Sequence, residues 1–297
     1  PEAVVEVLPE AAAALLLAVM SYNTLFFGTV LGFIGSAALI VAVLIPSPKP
    51  TDRLGIYDRT TRGTRIYLAT PRLRGLLALN MTACAAGAMV LVNSVVLVRS
   101  SLGLPEIALA WTMFAFGAGS MIAALTLPKL LDRMPDRRVM IGGAVLATCT
   151  LVVLALFVAI AGLSWSLLLG AWLLIGLGYS AVLTPSGRLL RRSSHEADRP
   201  ALFAAQFALS HGCWLITYPL SGWLMTQFGA EPALLVLAVV SVAGIVFALF
   251  LWPADDPIEM QHTHDNLPLD HPHLRGQRSH SHAFMLDDLH PRYTSNL

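Results

Sequence analysis

Charge is what this sequence has least of. Asp, Glu, Lys and Arg make up only 12% of its 297 residues, where soluble domains carry about 25%. A chain this poor in charge cannot cover a water-solvated surface of its own size. No excess of one sign makes up the deficit. The formal net charge is +1, which excludes the strongly basic face that a nucleic-acid partner requires. Cysteine is scarce too: Cys84, Cys149 and Cys213 each sit in an apolar stretch and read as packing residues, not as a disulfide framework. G-x-S-x-G, H-E-x-x-H, paired-cysteine and Walker motifs are all missing, so neither an enzyme nor a bound cofactor is expected. Without a Walker loop the chain is not expected to drive a pump with ATP. The opening residues carry Glu2, Glu6 and Glu10, one face of a helix, where a signal peptide would be basic. The chain also starts at Pro1, as a truncated product would.

What is present is apolar length. Hydrophobic residues make up 56% of the chain, and its mean hydropathy is +0.68. Crossing a bilayer takes about 20 apolar residues in a helix. Eight stretches approach or exceed that, near 2–20, 24–45, 75–98, 106–128, 139–161, 164–185, 201–226 and 232–252. They are continuous and lack period-2 alternation, which excludes the strands of a barrel and predicts helices. Of the 19 basic residues, all but Arg99 fall in every second loop or in the tail. The positive-inside rule puts those loops on the cytoplasmic side, together with the C-terminus. The expected fold is therefore an all-α polytopic membrane protein of about eight transmembrane helices. Its expected partners are the lipid bilayer and a small-molecule or ion substrate.

Composition also divides the chain. Residues 1–46 hold two spans. Residues 47–73 form a polar linker rich in Pro, Thr and Arg. Residues 74–253 hold six spans, and residues 254–297 form a polar, histidine-rich tail. The loop at 128–138 reads Pro-Lys-Leu-Leu-Asp-Arg-Met-Pro-Asp-Arg-Arg. Leu130, Asp132, Arg133, Arg137 and Arg138 resemble the motif Gly-x-Leu-x-Asp-Arg-x-Gly-x-Arg-Arg of the major facilitator superfamily. Pro128 and Pro135 stand where its glycines are usual. Six spans behind a basic linker resemble the C-terminal half of such a transporter, whose two six-helix halves are joined in this way. The resemblance implies that the first two spans correspond to the fifth and sixth helices of a twelve-helix protein truncated at its N-terminus. It implies an ion-gradient-driven exporter in a bacterial inner membrane. It also implies a cytoplasmic latch formed by Asp132, Arg133, Arg137 and Arg138.

Candidate cavity residues follow from depth. His211 is the one histidine within a predicted span, roughly 16 Å from Pro200 at 1.5 Å per residue. Ionisable groups at that depth are costly and point to function. Phe207, Trp214 and Tyr218 share its helical face, and Asn80 and Ser94 mark a polar face on the third span. The alternative for His211 is a neutral ring hydrogen-bonded to a neighbouring helix. Gly28, Gly32 and Ser36, and the pairs Gly117/Gly119 and Gly176/Gly178, predict seams of close helix packing.

The tail repeats His-x-His three times, as His262/His264, His271/His273 and His280/His282. Imidazoles suit divalent nickel, cobalt or zinc, so a metal exporter with a metal-gathering tail is a second reading. Neither a single helix nor a single strand brings the pairs onto one face. The expectation is a disordered tail with weak, adaptable metal binding. A third reading is a non-transporting remnant or membrane scaffold.

Overall fold

The computed structural model describes residues 22–42, 55–256, 259–263, 279–283 and 285. Among them the chain forms α1 Tyr22–Ala42, α2 Ile56–Ala69, α3 Pro71–Val95, α4 Glu106–Leu131, α5 Asp136–Ala161, α6 Trp165–Leu183, α7 Ser186–Arg192, α8 Arg199–Phe228 and α9 Ala230–Leu251. A π-helical turn, Val96–Ser101, prolongs α3. Two short strands follow, β1 Glu259–Thr263 and β2 Ser279–Ala283.

Five of these segments are long and apolar enough to cross a membrane: α3 with its π turn, α4, α5, α6 with α7, and α9. Helix α8 has 30 residues, about 45 Å of rise, but Gln206, Ser210, His211, Thr217, Ser221 and Thr226 dilute its apolar character. In α1 the apolar run Phe27–Ala42 is shorter. The expected first span, 2–20, lies outside the described residues. The chain is an all-α, multi-pass membrane protein apart from the tail ladder.

Helix ends follow local chemistry. Pro71 opens α3, where a missing N–H costs nothing. Ser164 caps α6 by accepting from the Leu167 N–H at 3.4 Å. Gly162 and Gly229, at φ 79° and 86°, end α5 and α8 in a backbone conformation that a Cβ would strain.

Lipid tails are as apolar as leucine, so helices in a bilayer associate through close packing and interhelical hydrogen bonds. A Cβ added at Gly119 would lie 1.9 Å from the Leu173 carbonyl oxygen, and one at Gly176 would lie 2.0 Å from that of Phe116. Helices α4 and α6 therefore touch backbone to backbone, and Ser120 Oγ donates across the seam to Gly176 O at 3.0 Å. Gly178 makes the same kind of contact with Gly143 of α5. Between α3 and α9, Thr82 Oγ1 donates to Ser241 O at 2.9 Å. Gly28 and Gly32 differ: a Cβ there would meet nothing within 4 Å, and every side chain from 27 to 42 is exposed. Among the described residues the expected seam on α1 has no helix packed into it.

Two polar segments take regular structure among the described residues. The second half of the 47–73 linker is helical. One face of α2 is apolar enough to pack on α8, where a Cβ at Gly63 would come within 2.0 Å of Ala201 O. Arg62 grips Asp198 through Nε at 2.6 Å and a second nitrogen at 3.3 Å. Tyr67 OH donates to Gln206 Oε1 at 2.5 Å. Burial pushes the Tyr67 phenol well above its ordinary pKa, which keeps that proton in place. The tail, expected as coil, pairs β1 with β2 in an antiparallel ladder. Pairing distant segments achieves what no single strand does: it sets position 262 opposite position 280, both histidines.

Among the described residues the two larger apolar regions lie along the bundle. One surrounds Met89, Leu151, Leu154, Trp172 and Ile175. The other surrounds Tyr67, Leu76, Leu79, Met140, Leu189 and Trp252 and lies at the end that carries the basic loops.

Candidate substrate face and charge network

Helix α8 is where apolar packing gives way. Its inner side holds Cys213, Thr217 and Ser221, all buried, while Phe207 is 65% and Leu215 76% exposed. On this open side His211 Nδ1 lies 2.8 Å from the Phe207 carbonyl oxygen. A neutral imidazole in that position donates Nδ1–H and keeps its lone pair on Nε2. The rings of His211 and Phe207 lie 3.9 Å apart. Among the described residues the histidine is held by its own helix.

An aromatic series leads from this face across the bundle. Tyr218 and Trp214 of α8 lie 4.5 Å apart. Trp214 is 6.3 Å from Tyr179 of α6, and Tyr179 is 5.6 Å from Phe116 of α4. Gly87 of α3 makes room for it, since a Cβ there would lie 2.7 Å from the Trp214 ring and 3.2 Å from that of Tyr179. Helices α3, α6 and α8 therefore meet around Trp214, and α4 joins them through Phe116 and Tyr179. The Cys84 thiol of α3 donates to the Ser210 carbonyl oxygen of α8 at 4.0 Å.

Of the cavity candidates, the structure brings Phe207, His211, Trp214 and Tyr218 together. Ser94 stays in the interior, where it accepts from Trp172 Nε1 at 2.7 Å. Asn80 is fully buried, and neither of its amide atoms has a protein partner among the described residues. Asn93 bridges α3 to α8 through Ser221 Oγ at 2.8 Å. Sequence reasoning missed Tyr179 and Phe116. Gly87 and Tyr179 belong to different helices, and only their crossing makes them neighbours. An open groove of about 470 Å³ between α4 and α6, lined by Trp111, Phe114, Trp165 and Leu173, lacks converging polar groups that would orient a ligand.

At the basic end, Asp132, Arg133 and Arg138 are exposed. Arg137 Nε donates to Trp252 O at 2.9 Å. The buried acid of the motif loop is Asp136, 2.5 Å from Arg188. A second acid, Asp256, collects the ends of three elements. It lies 3.6 Å from Arg72 of α3 and 3.4 Å from Arg192 of α7, and it accepts from Trp252 Nε1 at 3.2 Å. Asp136 fills a variable position of the motif, and Asp256 lies outside it, so motif matching had no signal for either.

The six tail histidines expected to gather metal divide into two sets. His262, His280 and His282 hold positions in the strand ladder. His264, His271 and His273 lie outside the described residues. Among the described residues no group of three His, Cys, Asp or Glu side chains stands ready as a metal site.

Stacked small-residue seams, one long and comparatively polar helix, and an ionic network at one end make up this bundle. Comparison with curated proteins found no match. The family model described as Major Facilitator Superfamily matches residues 76–278, from the first turns of α3 into the tail. That match covers more than half of the chain, and the helical architecture agrees with it: the chain belongs to the major facilitator superfamily, a family of membrane transporters.

Proposed function

We propose that the chain exports a small organic molecule across a bacterial inner membrane, driven by an ion gradient, with α8 lining the path. The basic loops and the tail then face the cytoplasm. The observation that carries this reading is α8 itself. It is long enough to span but too polar to be counted with the lipid-crossing segments. Its exposed side presents an imidazole among aromatic rings. Aromatic walls with a few polar groups suit an apolar or cationic solute. A histidine on such a face suits coupling to a proton gradient.

A strain deleted for the gene is screened for sensitivity to drugs and to divalent metals. The proposal expects sensitivity to organic compounds, relieved by the wild-type gene but not by His211→Ala. The variant protein must reach the membrane in equal amount. Collapsing the proton gradient should abolish the relief. Sensitivity to metals alone would replace this reading with the metal exporter. An unaltered deletion strain, or full relief by His211→Ala, would overturn the α8 path.

A further inference from the structure

The basic end of the bundle holds a polar cavity that the substrate path along α8 does not use. Its volume is about 290 Å³, and it lies between the start of α5, the end of α7 and the residues that follow α9. Asp136, Arg137, Arg138, Arg192, Asp255 and Asp256 supply its charges. Some of these are already paired. Asp136 faces Arg188, and Asp256 is shared by Arg72 and Arg192. Arg137 gives its Nε to the Trp252 carbonyl oxygen at 2.9 Å, an uncharged partner. Among the described residues, neither Arg137 nor Arg138 meets a carboxylate, and Asp255 meets no base. Two guanidinium groups and one carboxylate are left over, so the unpaired charge of the cavity is positive.

We propose that this cavity binds a phosphate group, held by Arg137 and Arg138, with Asp255 opposing it at the edge. A guanidinium fork matches phosphate oxygens two at a time. The bond from Arg137 Nε to the Trp252 carbonyl fixes that guanidinium in advance, which lowers the ordering cost of binding. Its terminal nitrogens stay available to a ligand. Arg138 is exposed and can close over the group from the opening. A metal cation does not suit the same cavity, because the paired acids are already neutralised and one free carboxylate is too few hard ligands. The phosphate has two possible sources, an anionic lipid headgroup and the free ion in the cytoplasm. The positive-inside rule puts the cavity on the cytoplasmic side, where basic pockets at helix ends take lipid headgroups. The neighbouring spans α5 and α9 leave most of their apolar length unburied, so lipid reaches the opening. An occupied cavity also ties the first turn of α5 to the segment after α9, and a ligand that binds only the folded state stabilises it. None of the lining residues belongs to α8, so the site does not rest on the transport reading.

The full chain is purified in detergent and stripped of lipid. Its thermal midpoint is followed while phosphatidylglycerol, diacylglycerol with the same acyl chains, or inorganic phosphate is titrated in. Phosphatidylglycerol should raise the midpoint and diacylglycerol should not. A rise with the lipid alone assigns the site to a headgroup, and a rise with inorganic phosphate alone assigns it to the free ion. Arg138→Ala should weaken binding of the active phosphate source at least about tenfold. It should leave the unliganded midpoint in place, since Arg138 has no partner to lose. Arg133→Ala removes the same charge from the same loop outside the cavity, and should bind like wild type. Asp255→Asn should strengthen binding, because the carboxylate opposed to the phosphate is gone. Equal losses from Arg138→Ala and Arg133→Ala would show diffuse attraction to a basic surface and overturn the site. So would unchanged or weaker binding by Asp255→Asn, a rise with diacylglycerol equal to that with phosphatidylglycerol, or no rise with either phosphate source.

Discussion

At the scale of single residues, charge placement decides more than charge number. Arg72 is almost fully buried, with 2% of its side chain exposed, and its ionic partner is Asp256 at 11%. Removing one partner of a buried pair leaves an uncompensated charge, at a cost of about 3–5 kcal/mol. Asp256→Ala should therefore lower the thermal midpoint of the detergent-solubilised protein clearly, while Asp132→Ala, at an exposed position, should barely move it. Adding Arg72→Leu to Asp256→Ala should restore part of the loss, because the stranded charge is gone. Equal midpoints for the two single variants would refute the network as a stabilising element. The motif residues were visible in the sequence, but their ranking was not. Asp132 and Asp136 are both acids in the same loop, and only folding puts one in water and the other against Arg188.

At the scale of elements, the helices were legible because lipid allows few alternatives. Long apolar runs satisfy their backbone internally or do not insert, so α3 to α6 and α9 could be read from hydropathy. His211 and its neighbours were legible for a related reason, since a period of 3.6 fixes which residues share a face. The helical half of the linker and the tail ladder were not. Both are polar on average, and both owe their form to a partner: α2 to α8, and β1 to β2. Strand pairing sets position 262 opposite position 280, a neighbour that spacing along the chain does not reveal. Helix contacts can be tested with matched glycines. Gly176 and Gly170 lie on the same helix. A Cβ at Gly176 would clash with the Phe116 carbonyl, whereas one at Gly170 would meet nothing within 4 Å. Backbone gives way far less easily than the end of a side chain. Gly176→Leu should force α4 and α6 apart and eliminate most of the monodisperse protein in size-exclusion chromatography. Gly170→Leu should elute like wild type. Similar elution of both variants would refute the seam.

At the scale of the whole molecule, the even alternation of basic and charge-poor loops predicts that α8 crosses the membrane. Helix α8 connects the basic stretch at 188–199 to the nearly uncharged turn at Gly229. If α8 lay along the surface instead, α9 would start on the basic side. The C-terminal tail would then emerge on the opposite side, and Arg275, Arg278 and Arg292 would contradict the positive-inside rule. With α8 as a span, every basic loop and the tail share one side. Its polar groups would then lie within the membrane's thickness, where such groups turn toward protein or a water-filled path. Single cysteines decide between the two arrangements, in a background carrying Cys149→Ser because Cys149 is an exposed thiol. Ser101→Cys at the end of the π turn and Gln227→Cys at the end of α8 should both react with an impermeant thiol reagent added outside intact cells. Met134→Cys in the motif loop and Asp255→Cys after α9 should react only after the membrane is opened. Protection of Gln227→Cys in intact cells, with Ser101→Cys labelled, would put α8 on the surface and remove the substrate path proposed along it.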